Sequence, residues 1–166
     1  MTWQKEVDEI ARRKAMTAQM GGPEKVERQH AQGKLTVRER IAQLVDDGSF
    51  AEIGGLSGKA AYDKDGNLVS LSPANTVLGR ARIGGRTVVV QGDDFTVRGG
   101  AADAAIWQKQ VIAEQMAREL RLPIVRLIDG TGGGGSVKSL DVDGRTYVPA
   151  NPGWDHAVAN LATVPV

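Results

Sequence analysis

The sequence predicts an α/β protein that begins with a helical segment, and three observations carry that prediction. Residues 1–45 are polar, with apolar residues recurring at helical spacing. Residues 50–98 hold β-branched runs divided by Gly84-Gly85. From Gly99 onward a helical pattern, a short apolar run, a glycine loop and a second helical pattern follow one another. That alternation is the order of a parallel sheet covered by helices. With 41% apolar and 25% charged residues among 166, the chain has the makings of a folded globular domain and not of a disordered one.

In the first segment, Lys5 to Gln19 contains neither glycine nor proline, and Val7, Ile10, Ala11 and Ala15 share a face before Gly21-Gly22-Pro23 ends the helix. Pro23 suits the first turn of a second helix that runs to about Gln32. Thr36, followed three residues later by Glu39, predicts a capping box. Val37, Ile41, Leu44 and Val45 then form the apolar face of a third helix, which Asp47-Gly48-Ser49 ends. The chain divides into this helical segment, 1–45, and a second unit, 46–166.

Thr76 to Ile83 alternates, Gly84-Gly85 signals a hairpin, and Arg86 to Gln91 is rich in valine. A two-stranded ribbon is marginal alone, so this hairpin belongs to a larger sheet. Asp63 to Asn67 reads as a surface loop. Ala101 to Leu120 predicts one long helix, Pro123 to Asp129 a buried strand, and Trp154 to Leu161 a last helix. Val142-Asp143-Gly144-Arg145 reads as a turn. The final Thr163-Val164-Pro165-Val166 stands where an alternating fold would start another strand.

Composition narrows the function. Twenty-one Lys and Arg against 20 Asp and Glu leave a net charge of +1, so no global basic field draws in nucleic acid or a membrane surface. The absence of cysteine excludes disulfides, thiolate metal sites and a cysteine nucleophile, and two histidines argue against a His-based metal centre. No signal-peptide or twenty-residue apolar stretch is present, and a cytoplasmic setting is expected.

Two glycine-bearing connections are candidate sites. Gly130-x-Gly132-x-x-Gly135, with Asp155 further on, matches a dinucleotide fingerprint by pattern, but no helix pattern opens at once behind it as that fingerprint requires. The same stretch reads equally as a flexible linker or as a loop whose backbone N–H groups approach an oxyanion. Gln91 to Gly100 joins a strand to the long helix, where an anion would meet free N–H groups with Arg98 adding charge. Its plainer reading is a tight turn with a buried Phe95 and a solvated aspartate pair. Asp93 and Asp94 are neighbours in sequence and would point to opposite faces, a poor arrangement for acid–base work. Lys109 reads as a phosphate contact or a solvated helical lysine. His156 lacks the serine elbow of a triad and reads as structural.

Four stretches occur in order: Gly33 to Ile41 (GKLTVRERI), Asp47 to Glu52 (DGSFAE), Gly79 to Arg86 (GRARIGGR) and Gln91 to Gly100 (QGDDFTVRGG). Together they resemble the N-terminal part of the carboxyltransferase, or beta, subunit of biotin-dependent acyl-CoA carboxylases. The resemblance implies a crotonase-like β-β-α superhelix, and transfer of carboxylate from carboxybiotin to the α-carbon of an acyl-CoA. An enolate at the thioester would then be stabilised by backbone N–H donors.

On this resemblance Gly132 and Gly133 would supply those donors. Phe95, Arg98, Gly99 and Gly100 would shape the acyl-CoA pocket, with Arg98 and Lys109 near the CoA phosphates. Biotin would arrive on a carrier, with a biotin carboxylase as further partner and a homo-oligomer as the assembly, and no metal is expected. Two departures stand out. Gly134-Gly135 replaces the family's Ala-Arg, and its following Gln-Glu-Gly is absent. The family's subunits are also several-fold longer, so this piece alone is expected not to complete the transfer. A non-catalytic module that only binds CoA or a partner subunit shares every motif, and a nucleotide-binding domain is a third possibility.

Overall fold

The computed structural model describes residues 2–101, 106–130, 137–145 and 153–166. Three helices come first: α1 (Gln4–Ala18), α2 (Pro23–Ala31) and α3 (Val37–Leu44). The capping box at α3 forms, because the Thr36 backbone N–H donates to Glu39 Oε2 at 2.7 Å while the Glu39 N–H donates to Thr36 Oγ1 at 3.4 Å.

Strands β1 (Ala51–Ile53), β2 (Gly58–Tyr62), β3 (Leu68–Pro73), β4 (Thr76–Ile83) and β5 (Arg86–Asp93) follow, and β6 (Ile124–Leu127) comes after helix α4 (Trp107–Leu120). The main sheet has the order β1-β4-β5-β6, antiparallel except for the parallel pair β5 and β6. Strands β2 and β3 pair separately, and α1 packs on β3. The Asp63–Asn67 loop joins them, with Asp63 accepting the Asp65 and Asn67 backbone N–H groups.

Alternation along β4 and β5 sends side chains to both faces of the sheet. Val77, Ala81, Val88 and Val90 meet Val37 and Ile41 of α3. Leu78 and Val89 meet Ala113 and Ala117 of α4 on the other side, with Ile124 and Val164. Alanine at the two α4 positions lets that helix lie close to the valine-rich strand. At the β4–β5 hairpin, Gly84 and Gly85 adopt φ of 56° and 78°, the left-handed pair that a two-residue turn requires. Asp46 caps this turn, its two carboxylate oxygens accepting the Gly84 and Gly85 N–H groups at 2.8 Å each.

Two sequence expectations need correction. The long helix starts at Trp107 and not at Ala101. Ala101 is extended (φ −64°, ψ 145°), and its carbonyl accepts the Asn75 side-chain amide at 2.8 Å, while residues 102–105 of the expected helix lie outside the described residues. Val142 and Asp143 close helix α5 (Val137–Asp143) and do not form a turn, the break coming at Gly144 with φ 65°. The last helix, α6 (Trp154–Leu161), is as expected. Beyond it, the Pro165 carbonyl accepts the Ile124 N–H at 2.9 Å. Among the described residues no helix is long and apolar enough to cross a membrane.

Candidate active site

Strands β5 and β6 run parallel, and their C-terminal ends define the crevice where open α/β sheets hold ligands. The chain leaving β5 there is tightly fastened. Asp94, 2% exposed, accepts both the Thr96 N–H (2.9 Å) and the Thr96 hydroxyl (2.6 Å) through Oδ1. Thr96 Oγ1 in turn accepts the Gly21 N–H at 2.9 Å, which joins the N-terminal segment to the turn. Burial raises the Asp94 carboxyl above its ordinary value, against the opposing pull of the Thr96 bonds. Asp93 has a different partner, its Oδ2 accepting the Asp129 N–H at 3.2 Å, and burial raises its carboxyl as well. Neither is the solvated aspartate of the plainer reading.

Three left-handed residues come next: Arg98 (φ 56°), Gly99 (63°) and Gly100 (70°). Glycine takes this conformation freely, whereas an arginine is strained there by about 1–2 kcal/mol. A side chain on Gly100 would sit 2.8 Å from the Asp129 carbonyl oxygen, so the turn lies directly against the exit of β6. The two glycine-bearing connections are thus brought side by side as far as Gly130. Gly132 and Gly133 lie outside the described residues. The turn does not feed straight into a helix N-terminus, because α4 begins seven residues after Gly100.

Phe95, Arg98 and Gly99 share a cleft of about 190 Å³ whose opposite wall is α2, contributing Lys25, Arg28, Gln29 and Gln32. Phe95 is half-buried, and the Lys34 ammonium stands 5.6 Å from its ring centroid. Lys109 lies apart from this cleft. It is 5% exposed, with its stem beside Gly54 and its charge near Glu52, which Arg38 already holds through two bonds of 2.9 and 3.0 Å. Burial lowers the Lys109 ammonium below the usual lysine range, Glu52 opposing and Arg38 adding to the shift.

With this geometry in view, comparison with known proteins is decisive. The model of the carboxyl transferase domain family matches residues 28–148. The chain belongs to that family. It is 34% identical over 131 residues to methylmalonyl-CoA decarboxylase subunit alpha of Veillonella parvula, spanning 79% of this chain and 26% of that protein. It is 36% identical over 138 residues to the human mitochondrial propionyl-CoA carboxylase beta chain, spanning 76% of this chain and 24% of that one. A transcarboxylase 12S hexamer structure with methylmalonyl-coenzyme A bound superposes with a TM-score of 0.67 at 31% identity, covering 79% and 26% of the two chains. A single-chain, multi-domain long-chain acyl-CoA carboxylase gives 0.71 at 29% identity, covering 96% and 17%. The chain spans about a quarter of the length of the curated relatives it matches. Its α/β fold is the crotonase-like one that the motifs implied.

In this carboxyl transferase domain the residues that the sequence reading passed over are those of α2. Lys25, Arg28, Gln29 and Gln32 recur at helical spacing on one face, a signal present in the sequence of this polar segment. A second, larger cavity of about 530 Å³ opens on the α4 side of the sheet, lined by Gln91, Asp93, Glu114 and Arg126 among others. Arg126 donates Nε and Nη2 to the Glu114 carboxylate at 2.7 and 2.8 Å, and the Asn160 amide of α6 donates to Glu114 Oε2 at 2.7 Å. His156 stands beside Gln115 at 3.3 Å, on the scaffold. Among the described residues no group of three or more His, Cys, Asp or Glu could hold a metal ion.

Proposed function

We propose that the chain is the acyl-CoA-binding part of a biotin-dependent acyl-CoA carboxyltransferase. In this reading Phe95, Arg98, Gly99 and Gly100 shape the pocket for the acyl-CoA. The backbone N–H groups of Gly132 and Gly133 polarise the thioester oxygen, so that the α-carbon becomes an enolate nucleophile. Carboxybiotin, brought by a carrier and loaded by a biotin carboxylase, supplies the carboxylate. The residues of this chain bind and orient the thioester and stabilise its negative charge. They need no ionisable nucleophile, in keeping with the missing serine triad. Lys109 takes a supporting place beside Arg38 and Glu52 in this reading, because a buried lysine outside the cleft is not presented to a phosphate there.

One observation supports this reading most: the left-handed run at 98–100 sets Arg98 and Phe95 in a cation-lined cleft while pressing Gly100 against the start of the glycine loop. Strain tolerated at a non-glycine residue in such a place points to ligand duty. Calorimetric titration with acetyl-, propionyl- and a branched acyl-CoA tests it. Binding of a CoA ester that weakens in Arg98→Ala is expected, and tighter binding of NAD than of any CoA ester would overturn the reading.

A further inference from the structure

We propose that the cavity of about 530 Å³ on the α4 side of the sheet receives the acyl group, and that Gln91 on its wall selects an acyl group carrying a hydroxyl over a plain aliphatic one. The proposal rests on the acyl-CoA reading and adds to it the class of acyl group. Its ground is a polar side chain left without a partner. Gln91 lines the cavity, is 7% exposed, and its Oε1 makes no hydrogen bond among the described residues. An unsatisfied buried acceptor costs about 1–3 kcal/mol, so a ligand that completes it gains that much over one that does not. The terminal torsion of glutamine is soft, so a small turn of the carboxamide brings Oε1 to a donor in the cavity.

The neighbouring groups narrow the donor to a neutral one. Arg126 is the register partner of Gln91 on β6, and its Nε and Nη2 already serve Glu114, which the Asn160 amide also engages. Asp93, two residues beyond Gln91 on the same strand face, lines the cavity too. A carboxylate on the ligand would meet Asp93 and an ammonium would meet Arg126, and like charges brought together in this way are costly. A chain of methylenes alone would drive water from Gln91 and return no bond. A hydroxyl donates to Oε1 and brings no charge. Ile128 and Trp154 offer apolar surface to the adjoining carbons. The placement follows from the sheet: Asp93 ends β5, Ile128 follows the last residue of β6, and Asp129 and Gly130 come directly after. A thioester held beside Gly130 therefore has its acyl group at the mouth of the cavity.

The test is calorimetric titration of the full chain with CoA, butyryl-CoA, 3-hydroxybutyryl-CoA and 4-hydroxybutyryl-CoA, in wild type and in Gln91→Met. One of the two hydroxyacyl esters is expected to bind wild type about tenfold more tightly than butyryl-CoA, a difference of about 1.4 kcal/mol. Gln91→Met keeps the length of the side chain and removes its amide. It should bring butyryl-CoA level with the hydroxyacyl esters and leave the affinity for CoA itself unchanged. Butyryl-CoA binding wild type as tightly as both hydroxyacyl esters would overturn the proposal and leave the acyl-CoA reading standing. A hydroxyacyl preference that survives Gln91→Met would overturn it as well. Failure of wild type to bind any of the four compounds would remove both readings. The wild-type comparison decides by itself where the variant does not fold.

Discussion

Arg126 on β6 and Glu114 on α4 meet in a two-pronged ion pair at 2.7 and 2.8 Å, and the carboxylate also receives the amide of Asn160, which is fully buried. One acidic group thus fastens a strand, the helix above it and the last helix of the chain. A lone charge left inside such a joint is costly, whereas an apolar replacement of the whole pair is often tolerated.

Glu114→Ala is therefore expected to destabilise the fold by about 3 kcal/mol, since it strands the Arg126 guanidinium and leaves the Asn160 amide only its bond to the Glu114 backbone carbonyl. The double variant Glu114→Leu/Arg126→Leu should recover most of that loss. Urea unfolding of the single and double variants measures both. An additive double variant would show that the pair is not coupled.

Arg98→Gly should raise stability while weakening CoA binding. Relief of the left-handed arginine is worth about 1 kcal/mol, and the lost side chain removes a cation from the cleft. Opposite changes in thermal midpoint and in affinity are the expected signature. Arg98→Val, with a branched Cβ in the same backbone conformation, should lower the midpoint instead.

Lys109 gives a prediction at high pH. Its ammonium is lowered by burial in the folded state, so between the folded and unfolded values the unfolded chain binds more protons. Stability must then rise with pH through that window, up to the ordinary lysine value near 10.4. Lys109→Met should flatten this rise, and the variant's advantage over wild type should shrink as the pH climbs toward 10. Chemical denaturation between pH 7 and 10.5 reads the slopes.

Asp46 acts at the other end of the scale. The N–H groups of Gly85 and Gly84 hold its carboxyl below the usual range. Its contribution is present above the ordinary aspartate value near 3.9 and is lost as the pH falls through the lower folded value. Asp46→Asn should reduce stability at pH 7 and remove part of the acid-side decline. A parallel offset of the two curves down to pH 2 would count against this role.

Legibility tracked sequence distance. The Thr36–Glu39 box and the Gly84-Gly85 turn were readable because each is built from residues within a few positions of one another. The cap on that same turn was not, because Asp46 stands 38 residues before Gly84 and nothing local marks it. The Glu114 joint was hidden likewise, its partners lying 12 and 46 residues away. The late start of α4 has another cause. Helix-favouring alanines around 101–105 suggested an early start, yet Asn75, on another segment, claims the Ala101 carbonyl. At the candidate site the turn was legible from its residues, but its facing wall was not. A polar helix face carries no mark of what it looks toward.

The bond from the Gly21 amide to the Thr96 hydroxyl, spanning 75 residues, has a bearing on biosynthesis. Gly21 leaves the ribosome long before Thr96 exists, so the opening helices must wait, unanchored at that point, until β5 and its turn have emerged. Completion of the cleft between α2 and the turn is then one of the later events in the life of the nascent polypeptide.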